Sequence, residues 1–121
     1  MKASKNFTRF EDLNVWKRAC RLSVNIYKEL QICNDFGFKD QITRCSLSVP
    51  SNIAEGFERG GNKDSVKFFY YAKGSCGEEL RTQIYIGIEI GYIDKQKGLC
   101  WKNEAKELSK MLAALIKART H

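Results

Sequence analysis

Apolar residues recur every three or four positions along four separate stretches of the chain, and no long run alternates apolar with polar. That periodicity predicts helices and excludes a sheet. The first helix is expected from Asp12, as N-cap, to about Ile32. Its polar side chains, Asn14, Lys17, Arg18, Arg21, Asn25, Lys28 and Glu29, fall within roughly 120° of the helix circumference. The rest forms two apolar stripes: Leu13, Trp16, Cys20, Val24 and Tyr27, and beside it Val15, Ala19, Leu22, Ile26 and Leu30. A small monomeric bundle needs one such stripe per helix. A second implies either a broad core-facing surface or a face for a neighbouring subunit.

Asn34-Asp35-Phe36-Gly37 signals a turn, and a second helix is expected from about Phe38 to Glu58 with core positions Phe38, Ile42, Cys45, Val49 and Ile53. The spacing holds straight through Pro50, the one proline, so a kink is expected there rather than an end. It frees the carbonyl of Ser46, which a hydroxyl of Ser46, Ser48 or Ser51 would compensate. Arg59-Gly60-Gly61 closes this helix, Asn62 and Asp64 open a third, and that helix continues to about Ile90. Gly74, Gly77 and Gly87 lie inside it and imply close approach to another helix, since each costs about 0.5–1 kcal/mol relative to alanine. Gly91-Tyr92-Ile93 makes the last turn. A fourth helix, capped by Asp94, runs to about Arg119, with Trp101, Ala105, Leu108, Leu112, Leu115 and Ile116 on one side. Lys95, Lys102, Lys106, Lys110 and Lys117 fall within about 80° on the other.

Helices of this length joined by short loops fold back on one another, giving an all-α, antiparallel up-and-down four-helix bundle ~30–45 Å long. A length of 121 residues and 43% apolar content suit one domain over residues 1–121. Residues 1–9 are expected to form a flexible basic tail. No signal-peptide core and no membrane-spanning run occurs, which points to the cytoplasm.

The net charge of +7 is unevenly placed. Residues 1–9 carry three basic and no acidic side chains, and residues 94–121 carry seven basic against three acidic, while the stretch between is neutral. An anionic partner would meet the last helix and the N-terminal tail first. Its lysine stripe suits phosphate backbones without any reading of sequence, with Lys17, Arg18 and Arg21 as further candidates. The alternative is a solvated face that keeps the protein soluble.

Catalytic chemistry finds little support. The one histidine, His121, is the last residue, so serine–histidine and cysteine–histidine pairs and histidine metal sites are not expected. Phosphate-binding glycine loops are missing from the sequence. Five cysteines (Cys20, Cys33, Cys45, Cys76, Cys100) contain no C-x-x-C pair and read as reduced, mostly buried residues. Glu55, Glu78, Glu79 and Glu89 lack the histidines of a two-metal bundle site, so no metal or cofactor is expected. Arg44, Asn52, Glu55 and Glu78 read as structural polar residues, with Glu55 or Glu78 pairing with Arg44 or Arg81 to fix helix register. Phe68, Phe69, Tyr70 and Tyr71 read as core, though they could stack on bases.

The run Gln41-Ile42-Thr43-Arg44-Cys45-Ser46-Leu47-Ser48-Val49-Pro50-Ser51-Asn52-Ile53-Ala54-Glu55-Gly56 resembles the signature of the bacterial four-helix-bundle proteins encoded in intervening sequences of 23S ribosomal RNA genes. That family includes the accessory variability determinant of diversity-generating retroelements. Phe10-Glu11-Asp12-Leu13-Asn14-Val15-Trp16 is similar to its opening. Ala72-Lys73-Gly74-Ser75, Gln83-Ile84-Tyr85 and Gly91-Tyr92-Ile93 are similar to its third helix, so the likeness spans roughly residues 7–117. The resemblance implies a homopentamer with a basic surface that binds nucleic acid without catalysis, and in retroelement members a reverse-transcriptase partner. Gly74-Ser75-Cys76-Gly77-Glu78-Glu79-Leu80 departs from the pattern by one extra residue. A π-bulge would absorb it, leaving the register of the third helix after Glu78 open.

Overall fold

The computed structural model describes residues 9–120. The basic tail with Lys2 and Lys5, and His121, lie outside the described residues. A tight turn at Phe10–Asp12 precedes α1 (Asn14–Glu29), and a second at Leu30–Ile32 leads to α2 (Phe36–Glu58). Then α3 (Asn62–Gly74), a π-helical turn (Ser75–Glu79) and α4 (Leu80–Glu89) form one rod, and α5 (Lys95–Arg119) closes the chain. Thus the four expected helices are present as an antiparallel bundle. Contacts run α1 to α2, α2 to α3, α3 and α4 to α5, and α5 back to α1, which places the rods at the corners of a square.

The core is built from fully buried Ile26, Leu30, Ile42, Ile53, Phe69, Leu80, Ile84, Leu108 and Leu112. Of the two apolar stripes on α1, Val15, Ala19, Leu22, Ile26 and Leu30 face this core. The other starts buried at Leu13, passes half-buried Trp16 and Cys20, and ends exposed at Val24 (49%) and Tyr27 (41%).

Helix starts differ from expectation where tertiary contacts take over. Asp12 does not cap α1: it sits in the tight turn, 3.7 Å from Arg9, and Leu13 occupies the N-cap position without a side-chain bond. Phe10 packs edge-on against Trp16 at 5.4 Å, fixing the entry of the chain as a hydrophobic staple does. In α2 the cap is Asp35, which accepts from Phe38 N (3.1 Å) and from Tyr92 Oη (2.9 Å), so the helix begins two residues before the expected start. Neither Asn62 nor Asp64 caps α3, whose N-cap is Gly61. Ser65 secures that turn instead by donating to the carbonyl of Gly56 (2.7 Å). Asp94 caps α5 as expected, accepting from Lys97 N at 3.0 Å.

α2 passes buried Pro50 without interruption. The hydroxyls of Ser46 and Ser48 bond to the carbonyls of Thr43 (2.9 Å) and Cys45 (2.7 Å), not to the carbonyl of Ser46. Gly87 and Gly77 do mark close approaches. A Cβ on Gly87 would meet Ile93 Cδ1 at 2.4 Å, and one on Gly77 would meet Ser109 Oγ at 2.9 Å. Gly74 does not, having nothing within 4 Å. Gly91 turns the chain into the last loop at φ +83°, where other residues are strained.

Candidate nucleic-acid interface

On α5 the buried residues Gly98, Trp101, Ala105, Leu108, Leu112 and Ile116 leave the lysines to the outside. Lys95, Lys106, Lys110 and Lys117 are exposed, and Lys102 is half-buried with Nζ 5.3 Å from the centre of the Tyr85 ring. Lys110 Nζ lies 3.7 Å from Glu107, an exposed pair of little energetic weight. The stripe is therefore a cationic ridge along α5, whose Lys102 and Lys106 adjoin α4.

The expected cations of α1 do not join it. Lys17 and Arg21 are exposed, but Arg18 is committed to Glu104: Nε to Oε2 is 2.8 Å and Nη2 to Oε1 is 2.7 Å. The hydrogen bonds of this pair hold the Glu104 carboxyl below the usual glutamate range and raise Arg18 further. Arg18, Arg21, Lys28 and Lys97 line a groove between α1 and α5 of about 1090 Å³, floored by Leu22 and Trp101. Lys97 Nζ reaches Glu29 across it at 2.8 Å. This groove and the lysine ridge lie on opposite flanks of α5.

Arg81 and Tyr85 complete the ridge, and sequence reasoning missed them as site residues. A hollow of about 400 Å³ between the rods is lined by Arg81, Leu99, Lys102 and Lys106. Arg81 is laid along its own helix, donating from Nη1 to the carbonyl of Gly77 (3.1 Å). Tyr85 keeps 53% of its surface exposed and Leu99 keeps 49%. The available signal was the four-residue step from Arg81 to Tyr85, which sets both on one helix face. The π-helical turn at Ser75–Glu79, expected from the extra residue, hid which face that was.

The structural polar residues act within helices, which corrects the expected pairing between them. Arg44 pairs with Asp40 (2.9 Å), Glu55 pairs with Arg59, Asn52 Nδ2 donates to the carbonyl of Ser48 (2.8 Å), and Glu78 is exposed. Small hydroxyls set the register between helices instead. Ser23 meets Ser46 at 3.0 Å in the core, and Ser48 donates to Ser75 at 2.9 Å. Of the aromatic run on α3, Phe69 is fully buried and Phe68 half-buried, whereas Tyr70 (56%) and Tyr71 (52%) are exposed and not core.

All five cysteines are free, and burial pushes the Cys45 and Cys76 thiols up to about 12. Among the described residues no group of three metal-binding side chains stands together, and no helix is long and apolar enough to cross a membrane.

The fold and this surface define a small four-helix bundle with a cationic ridge along its C-terminal helix. Residues 11–114 match the family model of the 23S rRNA-intervening sequence protein, and the chain belongs to that family. Among solved structures it is similar to a protein of unknown function from the S23 ribosomal protein family of Bacteroides thetaiotaomicron VPI-5482. The two share 24% identity at a TM-score of 0.78, over 85% of this chain and 98% of that one, a likeness of fold. No curated protein matches.

Proposed function

We propose that the protein is a non-catalytic, oligomeric scaffold of the cytoplasm that binds nucleic acid through the α5 ridge. The observation that carries this reading is the placement of Lys95, Lys102, Lys106, Lys110 and Lys117 outside the core, where only Lys110 has a carboxylate partner among the described residues. Phosphate contacts of this kind need no base reading and weaken steeply with salt. Assembly would repeat the ridge around the oligomer and make binding multivalent. The exposed end of the second α1 stripe, Val24 and Tyr27, supports such assembly, with a pentamer as the expected state. The test is oligonucleotide retention by the triple variant K102E/K106E/K110E, with helicity followed by circular dichroism. Lost binding at unchanged helicity supports the reading, and unchanged binding removes the ridge.

A second reading takes the same exposed stripe as a dock for another protein. Kinship with the accessory variability determinant of diversity-generating retroelements would make that protein a reverse transcriptase, with nucleic acid touched only through it. It predicts no gel shift by the purified chain at low salt.

A further inference from the structure

We infer that the ridge takes single-stranded nucleic acid, with bases stacked on Tyr85 inside a cationic frame made by Arg81, Lys102 and Lys106. This rests on the proposed nucleic-acid reading and names the strand type. A ridge that served duplex phosphates alone would gain nothing from exposed apolar surface among its cations. Here half-exposed Leu99 lines the hollow with Arg81, Lys102 and Lys106, and half-exposed Tyr85 adjoins it through Lys102, whose Nζ is 5.3 Å from the ring centre. Exposed apolar surface rimmed by polar or charged side chains marks a place where a ligand binds. Bases of a duplex already stack on one another, whereas those of a single strand present free faces, and a tyrosine ring accepts any of them.

The arrangement is also preformed. Arg81 is held by the Gly77 carbonyl (3.1 Å) one helical turn before Tyr85, and Lys102 Nζ stands 5.3 Å from the Tyr85 ring centre, so positive charge is in place at the stacking surface before a strand arrives. Glu78, Glu79 and Glu89, the exposed carboxylates nearest in sequence on the rod, do not line the hollow. Successive steps of three or four residues from Tyr85 back through Arg81, Gly77 and Lys73 reach Tyr70, which is 56% exposed. At 1.5 Å per residue the two tyrosines are ~22 Å apart along the rod, giving a strand a second platform.

The test compares fluorescently labelled oligo(dT), oligo(rU), an abasic strand of equal length and a duplex, binding to the full-length protein at low salt. The intact strands should bind about five- to a hundredfold more tightly than the abasic one. Tyr85→Ala should erase that advantage and Tyr85→Phe should keep it, and because Tyr85 is exposed neither variant threatens folding. The dT and rU arms show which sugar is preferred. If abasic, duplex and intact strands bind alike, or if Tyr85→Ala changes nothing, the stacking inference fails while phosphate binding stands. If no strand binds, the nucleic-acid reading itself is overturned.

Discussion

Arg18 on α1 and Glu104 on α5 form a two-pronged ion pair, 2.8 Å and 2.7 Å, between residues separated by 86 positions in sequence. It closes the bundle between its first and last rods, where the broad groove otherwise keeps them apart.

The pair makes stability depend on acid. The hydrogen bonds to Arg18 lower the Glu104 carboxyl in the folded protein below its ordinary 4.5. Its stabilisation is therefore complete above that value and fades as pH falls through the lower, folded value. With both side chains about a third exposed, it contributes about 0.5–1 kcal/mol. Urea midpoints should show Glu104→Gln destabilised at neutral pH, with the gap to wild type closing as the pH falls below the ordinary glutamate range.

Two glycines should respond to alanine with opposite signs. A Cβ on Gly56 would meet Phe69 Cε1 at 2.6 Å and the Ser65 carbonyl oxygen at 3.0 Å, so Gly56→Ala should cost about 1–3 kcal/mol. Gly74 is helical and faces open space, so Gly74→Ala should add about 0.5–1 kcal/mol. Thermal melts of the two variants check both.

Thiol labelling should be graded. Cys100 is exposed, whereas burial holds Cys45 and Cys76 protonated, with values of about 12. A thiolate-selective reagent near pH 8 should modify Cys100 quickly and leave Cys45 and Cys76 intact until the protein is unfolded. Mass spectrometry of timed digests reads the order.

Salt should report how many ridge lysines meet phosphate. Each contact to a single strand contributes about 0.7 to the slope of log affinity against log salt. Lys106→Gln or Lys117→Gln should each reduce the slope by about that amount. Lys17→Gln, on α1 and outside the ridge, should leave it unchanged.

The helices were legible in the sequence because their signals are local. The α5 cap is an aspartate three residues before the amide it binds, and the periodicity of α2 carries straight across Pro50. The cap of α1 was not legible, because Phe10 and Trp16 set that corner by packing rather than by capping. The ridge lysines were found from one helix alone. Arg18 was misjudged because its partner is 86 residues away, and Arg81 and Tyr85 were missed because their relevance depends on which face meets α5. Tyr70 and Phe69 illustrate the same limit. They are neighbours in one aromatic run, and only the packing of α2 against α3 decides that the phenylalanine goes inside.

The wide turn at Ser75–Glu79 keeps Phe69 and Ala72 before it, Cys76 within it, and Leu80 and Ile84 after it, all on the buried side despite one surplus residue. The rod thus works like a belt with a spare notch: one residue can be taken out at that point without rotating either half. Loss of one residue there would convert the turn to ordinary helix and leave both packed ends in place. Gains or losses elsewhere along the rod would swing one half by about 100° and turn its apolar side toward water.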